Sequence, residues 1–239
     1  MYRRVFKRLL DVLLSLCALV VLSPILLIVA LLVWAKLGSP VIFCQERPGR
    51  SERIFRMYKF RSMTDRRDEN GALLPDDKRM TGLGRKLRAS ALDELPELWN
   101  ILKGDMSLVG PRPQLVRDMV FMTPEQRRRH TLRPGLTGWA QVNGRNAITW
   151  EDRLRYDLEY LDRVSFREDA KIVFMTVGCL LRHSGAAAEG METSGDLGDC
   201  LLRLGEVTEA EYQAKQDEAK RELDLSRQKN KERRAWIFG

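Results

Sequence analysis

The chain has 239 residues, and its 41 lysines and arginines exceed its 33 aspartates and glutamates, for a formal charge of +8. Residues 186–239 hold 9 basic and 12 acidic side chains, which leaves 32 and 21, a net +11, in residues 1–185. Such a basic body indicates an anionic partner: lipid headgroups, phosphorylated substrates or nucleic acid. Two histidines and four cysteines without a CxxC pair argue against a serine-hydrolase triad, a multi-histidine zinc site and a disulfide framework.

An uncharged apolar segment runs from Val12 to Ala35 and exceeds the roughly 20 residues needed to span a bilayer. No small-residue cleavage site follows it, which favours a retained anchor over a signal peptide. Ser23-Pro24 interrupts its middle, where proline removes a helical hydrogen bond. Asp11, at its start, is costly in lipid and is expected at headgroup depth. Basic residues, which favour the cytoplasmic side, flank both ends: Arg3, Arg4, Lys7 and Arg8 before, and Lys36, Arg47, Arg50, Arg53 and Arg56 after. A re-entrant helix and a kinked single span both remain open.

The next stretch predicts a β-hairpin followed by a loop. β-Forming residues flank Pro48-Gly49, which indicates a hairpin over residues 41–60 with a type II turn at that dipeptide. Residues 64–80 are polar and contain glycine and proline, which is typical of a loop. A helical stretch follows at about residues 82–89.

Later helices are indicated by apolar spacing and capping residues. Pro96 suits the first turn of a helix and Gly104 its end, and apolar residues recur there at helical spacing: Leu95, Leu98, Trp99 and Leu102. Thr149 is a candidate N-cap, and Ser165 with Glu168 forms a capping box. The ten-residue apolar run after that box is too short to span a membrane, so we expect a core or interfacial helix.

The C-terminal part reads as a linker and a charged helix. Residues 185–205 are rich in glycine and alanine, which indicates a linker. Thr208 with Glu211 forms a capping box that opens a charged helix through about residue 234.

The strongest local candidate for chemistry is the carboxylate pair Asp93-Glu94. Adjacent carboxylates repel, so both ionise only beside a cation or strong donors. Pro96 places them near a helix start, which favours carboxylates and an approaching phosphate. Carboxylates, Mg²⁺ and guanidinium groups are the components of phosphoryl transfer, and basic residues are close in sequence: Arg85, Lys86, Arg88, Lys103 and Arg112. Composition alone favours the simpler interpretation, an acidic pair on a solvated helix. The basic run Arg127–His130 is likewise expected on a solvated helix face or against anionic lipid.

Three strings in order carry a family resemblance. They are YKFRSM at 58–63, LGRKLRASALDELPELWNILKGDMSLVGPRP at 83–113 and RPGLTGWAQVNGR at 133–145. With the apolar segment, they closely resemble the bacterial sugar transferase family over roughly residues 3–182, in its monotopic phosphoglycosyl transferase branch. The large form of that branch carries further spanning helices upstream, which this sequence lacks, so we expect the small form.

The resemblance implies a membrane enzyme. Such enzymes transfer a phospho-sugar from a UDP-sugar to a polyprenyl phosphate such as undecaprenyl phosphate, with release of UMP, as the first membrane step of glycoconjugate assembly. Asp93 matches the family's nucleophile, which implies a covalent aspartyl-phosphosugar intermediate. Glu94 matches the acid associated with the required Mg²⁺, and we expect both acids at the metal. Further residues match family positions and are expected to bind substrate: Lys59, Arg88, Arg112, Arg145 and Asp169.

The resemblance also implies the fold and location. The family fold is α+β and mostly helical, with a re-entrant helix broken at a Ser-Pro pair, amphipathic interfacial helices and a small β-hairpin. We expect a re-entrant membrane helix over 1–38, a catalytic domain over 39–185, and a linker with a charged helical extension over 186–239. The implied location is the bacterial inner (cytoplasmic) membrane, with the catalytic domain and both ends of the membrane helix on the cytoplasmic face.

The implied partners are the UDP-sugar, polyprenyl phosphate and membrane lipids, and a homodimer is allowed. Nucleic acid is not expected, because charge alone suggests it and no binding motif is present. The alternative from another class is a non-catalytic membrane-surface adaptor that binds anionic lipid through the basic body. The acidic pair, inside a long ordered match, favours the enzyme.

Overall fold

The computed structural model describes residues 2–144, 148–183 and 195–238. The strands are β1 (Ile42–Pro48), β2 (Ile54–Phe60), β3 (Ser107–Val109) and β4 (Gly135–Thr137). The helices are α1 (Lys7–Val21), α2 (Ser23–Leu37), α3 (Asp76–Arg79), α4 (Gly82–Ala89), α5 (Glu97–Lys103), α6 (Val116–Met119), α7 (Pro124–Arg127), α8 (Trp139–Val142), α9 (Trp150–Arg163), α10 (Phe166–His183), α11 (Leu197–Leu204) and α12 (Glu209–Phe238). Single 3₁₀ turns lie at Arg50–Glu52, Leu92–Glu94 and Arg128–Thr131, and a π-helical turn at Tyr2–Phe6. The fold is α+β and mostly helical, as the family resemblance implies.

The two longer strands form the predicted hairpin, since β1 pairs with β2 antiparallel over its whole length. The type II turn predicted at Pro48-Gly49 is wrong. A wider loop with a 3₁₀ turn joins the strands, and its Ser51 and Glu52 adopt left-handed φ angles of +53° and +60°. The loop presents the Glu52 carboxylate to Arg127, which donates two hydrogen bonds of 2.7 and 2.8 Å to it.

The two shorter strands bring distant parts of the sequence together. β3 and β4 pair in parallel, and the chain that leaves β3 crosses the start of β4 at Gly110 and Gly135. A Cβ atom on Gly135 would lie 2.1 Å from the Gly110 nitrogen, so this crossing requires glycine. The strings at 83–113 and 133–145 therefore meet at one place in the fold.

The apolar N-terminal segment forms α1 and α2, which are bent by 63° relative to each other. Pro24 is in the first turn of α2, where the missing N–H has no helical partner to lose. Among the described residues, no helix by itself is long and apolar enough to cross a membrane, and α1 with α2 meets that criterion only as a bent pair. Large apolar side chains are exposed along both helices, including Leu13, Leu14, Val20, Val21, Leu27, Ile28, Leu31 and Trp34.

Charged residues at the start of α1 bind the rest of the protein. The Arg8 guanidinium donates to the carbonyls of Ile101 and Leu102 at the end of α5, at 2.6 and 2.8 Å. Asp11 is only 3% exposed and accepts a 2.9 Å hydrogen bond from the Leu108 N–H. The carboxylate expected at headgroup depth is thus compensated within the protein, and it fixes α1 against β3.

The capping residues predicted for the later helices are confirmed. Thr149, Ser165 and Thr208 each accept a hydrogen bond from the backbone N–H three residues further on. The apolar run in α10 is both core and surface, because Ile172 is fully buried whereas Phe174 is 77% exposed.

The C-terminal extension contains more helix than predicted. Within the predicted linker at 185–205, residues Leu197–Leu204 form α11, while residues 184–194 lie outside the described part of the chain. The predicted charged helix is present as α12, which begins at Glu209, after the Thr208 cap.

Candidate active site

Asp93 and Glu94 lie in the 3₁₀ turn that immediately precedes α5. Ala91 adopts a left-handed conformation, with φ of +54°, and redirects the chain after α4. Pro96 is the N-cap residue of α5 rather than part of its first turn, and Gly104 ends the helix in the left-handed conformation, as predicted. The acidic pair therefore projects from a tight turn between two helices.

Asp93 carries a buried carboxylate. The residue is only 6% exposed, and none of the described residues donates a hydrogen bond to its carboxylate. Burial raises the pKa of Asp93, and the adjacent charge of Glu94 raises it further. Lys59, Arg88 and Arg112 act in the opposite direction. A carboxylate held by charge alone keeps its lone pairs available for attack on an electrophile.

Glu94, in contrast, is firmly bound. Its Oε1 accepts hydrogen bonds from Lys59 Nζ at 2.7 Å and from Arg112 Nη2 at 2.8 Å. Burial disfavours its charged form, but Arg112 and Lys59 outweigh burial and hold the pKa of Glu94 well below its usual range. Glu94 in turn raises the pKa of Arg112. Glu94 therefore remains ionised and fixes both cations beside Asp93.

A third acid, Glu97, joins the cluster from the first turn of α5. It is 2% exposed, and its Oε1 lies 3.2 Å from Lys59 Nζ. No hydrogen bond is donated to that oxygen by the residues that the structure describes. Burial raises the pKa of Glu97 to about 7, against the opposing charge of Lys59. Glu97 was not among the predicted site residues, although its position three residues after Glu94 is a spacing that places side chains on one helix face.

The position of Lys59 depends on a buried amide. Asn100 on α5 is fully buried, and it donates a 2.7 Å hydrogen bond to the Arg56 carbonyl and accepts one of 3.0 Å from the Tyr58 N–H. These bonds join α5 to β2 directly beside Lys59. The lysine of the first family string is thereby held against the acids of the second.

The position of Arg88 depends on a glycine. A Cβ atom on Gly84 would lie 1.9 Å from the Ser62 carbonyl oxygen, so α4 packs directly on the chain after β2. Arg88 Nε then donates a 3.1 Å hydrogen bond to Ser62 Oγ. This contact keeps the guanidinium close enough for its charge to act on Asp93.

The backbone of Arg112 is held by a buried ion pair. Arg129 Nη2 donates 2.6 Å hydrogen bonds to both the Arg112 carbonyl and Asp157 Oδ2. The side chains of Arg129 and Asp157 are only 1% and 2% exposed. The prediction of a solvated face for Arg127–His130 is thus wrong for Arg129, and also for His130, which is 6% exposed. Sequence alone carries no signal for this pair, because its members are 28 residues apart.

Asp169, another predicted site residue, is not part of this cluster. Asp169 accepts hydrogen bonds from Tyr2 at 2.6 Å and Tyr160 at 2.5 Å, and it pairs with Lys7. Within the described ranges, no hydrogen bond or ion pair connects it to the acidic pair; it attaches the N-terminus of the chain to α9 and α10. Arg145 lies outside the described residues.

The donor set is compatible with Mg²⁺. In the described part of the chain, no group of three or more His, Cys, Asp or Glu side chains is arranged to hold a metal ion by itself. Mg²⁺ commonly binds through one or two carboxylates together with substrate phosphates and water. Asp93 and Glu94 are adjacent in the chain, and none of the described residues donates a hydrogen bond to Asp93. These two acids would hold the ion.

The family model for bacterial sugar transferases matches residues 2–183. The cluster around Asp93 thus lies within the matched region, and the chain belongs to the bacterial sugar transferase family. The match agrees with the resemblance over residues 3–182.

Individual relatives agree with the family. The chain is 47% identical to an uncharacterized sugar transferase, EpsL, from Bacillus subtilis strain 168, over 81% of this chain and 98% of that protein. It is 39% identical to the UDP-N-acetylgalactosamine-undecaprenyl-phosphate N-acetylgalactosaminephosphotransferase of Aeromonas hydrophila, over 75% of this chain and 44% of that protein. It is 42% identical to an undecaprenyl-phosphate glucose phosphotransferase of Komagataeibacter xylinus, over 72% and 35%. The chain therefore spans less than half the length of the latter two proteins.

Proposed function

We propose that the protein is a phosphoglycosyl transferase that moves a phospho-sugar from a UDP-sugar to polyprenyl phosphate. The observation that carries the proposal is the state of Asp93: a buried carboxylate with no bonded donor in the described structure, placed among Lys59, Arg88 and Arg112. The names of the Aeromonas and Komagataeibacter relatives specify undecaprenyl phosphate as acceptor, and that of the Aeromonas protein specifies a UDP-sugar as donor.

The reaction proceeds as two displacements. Asp93 attacks the β-phosphorus, the Pβ–O bond to UMP breaks with its electron pair going to UMP, and an aspartyl-phosphosugar results. A phosphate oxygen of the lipid then attacks the same phosphorus and releases the Asp93 carboxylate. The products are UMP and polyprenyl-diphosphate-sugar. Arg112 and Arg88 bind the phosphate oxygens, and their positive charge stabilises the negative charge that develops during transfer.

Glu94 keeps Arg112 and Lys59 in place during this reaction, since both donate to its Oε1. Asp93 and Glu94 would hold Mg²⁺, whose positive charge would offset that of the diphosphate. Lys59 limits the repulsion that Asp93, Glu94 and Glu97 would otherwise exert on an approaching anion.

The membrane supplies the acceptor. We propose that α1 and α2 insert as a re-entrant pair, bent at Ser23-Pro24, with both basic ends and the catalytic domain on the cytoplasmic face of the inner membrane. The 63° bend, the exposed apolar residues of the pair and the exposed Phe174 and Leu181 on α10 support this arrangement. It brings the site to the depth of the lipid phosphate.

The decisive experiment separates the two displacements. Purified protein with a UDP-sugar and Mg²⁺, but without lipid acceptor, should release about one UMP per active site and then stop. Its intact mass should rise by one phosphosugar, and peptide mapping should locate the addition on Asp93. Asp93→Asn keeps the size of the side chain and removes its charge, so burst and adduct should both disappear.

A one-step transfer from donor to lipid predicts no UMP without acceptor. Wild-type protein that turns over with lipid, yet gives neither burst nor adduct without it, would refute the covalent role of Asp93. Absence of turnover with any UDP-sugar tested would refute the proposed activity and favour the membrane-surface adaptor.

A further inference from the structure

The C-terminal extension packs on the body instead of projecting from it. α11 and α12 lie beyond residues 2–183, the part matched by the family model. Ala219 of α12 is 3% exposed and forms one apolar cluster with Val116, Met119 and Val120, and Leu223 packs against this cluster. The extension therefore covers α6, the short helix that follows the loop at residues 110–115, which carries Arg112.

A single carboxylate caps α6 and α11 together. Asp118 is 2% exposed, and its Oδ2 accepts a 3.0 Å hydrogen bond from the Leu115 N–H at the start of α6. Its Oδ1 accepts one of 2.9 Å from the Leu197 N–H, at the start of α11. The neighbouring Arg117 pairs with Asp196 at 2.7 Å. Both helix starts thus depend on the same buried group.

The extension also contacts the hairpin. Arg227 of α12 pairs with Glu46 of β1 at 2.8 and 2.9 Å. The next residue of the hairpin, Arg47, donates a 3.4 Å hydrogen bond to the Pro113 carbonyl. The hairpin and α6 border the loop that carries Arg112, and the extension spans both, with a cavity of about 510 Å³ between them.

We propose that residues 195–238 form a clasp that positions Arg112 for the reaction. α6 begins at Val116, four residues after Arg112, so a shift of α6 moves the loop and the guanidinium bound to Glu94. The loop is bonded to Arg129 and to the β4 segment, and the clasp holds α6, into which the loop continues. The inference rests on the proposed function for its kinetic readout, because Arg112 acts there on substrate phosphates.

The test compares two substitutions on one helix. Leu223→Asp places a charge in the apolar contact with α6, whereas Leu225→Asp makes the same change on a side chain that is 51% exposed. In the full chain, amide hydrogen exchange of α12 and of residues 110–120 should be at least about tenfold faster in Leu223→Asp than in the wild type. Leu225→Asp should leave the exchange rates of both regions unchanged. Ala219→Arg, at the other buried contact, should act like Leu223→Asp.

The kinetic readout asks whether the clasp acts through Arg112. Leu223→Asp should lower kcat/KM for the UDP-sugar at least about tenfold, since a misplacement of about 1 Å in a substrate-positioning group can cost up to about 100-fold. In an Arg112→Lys background the same substitution should add little, because the group that it misplaces is already altered.

Three results would overturn the proposal. The first is faster hydrogen exchange in α12 without faster exchange in residues 110–120, and the second is a loss of kcat/KM that is additive with Arg112→Lys. The third is unchanged exchange in α12 for both Leu223→Asp and Ala219→Arg. A protein inactive with every UDP-sugar tested would refute the proposed function, and the exchange measurements would still decide whether the clasp holds the loop.

Discussion

Replacement of Asp157 by Asn should destabilise the protein severely. The change keeps the shape of the side chain but removes the charge that compensates Arg129, in a pair whose members are 1% and 2% exposed. Arg153, 8% exposed, lies nearby and would lose the same compensation. Removing one partner of a buried ion pair typically costs about 3–5 kcal/mol. For a domain of this size that corresponds to a decrease in Tm of roughly 6–20 °C.

The assay is thermal unfolding of the detergent-solubilised protein, with Asp152→Asn as the matched control. Asp152 also pairs with an arginine on α9, Arg155, but these side chains are 40% and 55% exposed, so we expect a Tm close to that of the wild type. Equal Tm values for Asp157→Asn and Asp152→Asn would refute the argument that burial makes the Arg129 pair critical. Because Arg129 also binds the Arg112 carbonyl, kcat/KM of the remaining folded protein should fall as well.

Three further predictions follow from the site and the membrane segment. The active form of Asp93 is the ionised one, and burial and Glu94 raise its pKa, so kcat/KM should fall on acidification at a higher pH than an ordinary aspartate would give; a profile that is flat down to about pH 4 would contradict this. Glu94→Gln should cut activity severely and raise the Mg²⁺ concentration needed for half-maximal rate, because it removes a charge from the cation's surroundings; an unchanged Mg²⁺ titration would contradict the role. Cysteine labelling in intact cells should find both ends of the apolar segment cytoplasmic, and periplasmic labelling of the wild-type N-terminus would exclude the re-entrant arrangement. Pro24→Ala should favour a straight span, because alanine supplies the N–H that a continuous helix through this position requires and proline lacks.

The sequence was sufficient to predict helix ends, because these depend on residues that are close together in the chain. The caps at Thr149, Ser165 and Thr208 and the stop at Gly104 follow from side-chain and backbone preferences within a few residues, and the structure has all four. The hairpin followed from its strand composition, but its turn did not. Glycine and proline at the predicted dipeptide allow several loop lengths, and the contact of Glu52 with Arg127 from a distant helix accompanies the wider loop.

The sequence also singled out the acidic pair Asp93-Glu94, because adjacent acids before a proline stand out within an ordered set of family strings. Only the tertiary structure decided which groups surround that pair. It bound Glu94 to Lys59 and Arg112, left Asp93 without a bonded donor among the described residues, and added Glu97 from the next turn.

The long-range supports of the site could not be read from the sequence. Asp169 and Arg112 both matched family positions, yet the fold pairs Asp169 with Lys7 near the N-terminus and brings Arg112 to Glu94. Arg129 looked like part of a solvated basic run, and it became the buried support of the Arg112 backbone. Composition shows which groups carry charge, but burial and pairing depend on which segments meet in space. That meeting is fixed by contacts between residues far apart in the chain, such as the glycine crossing of β3 and β4.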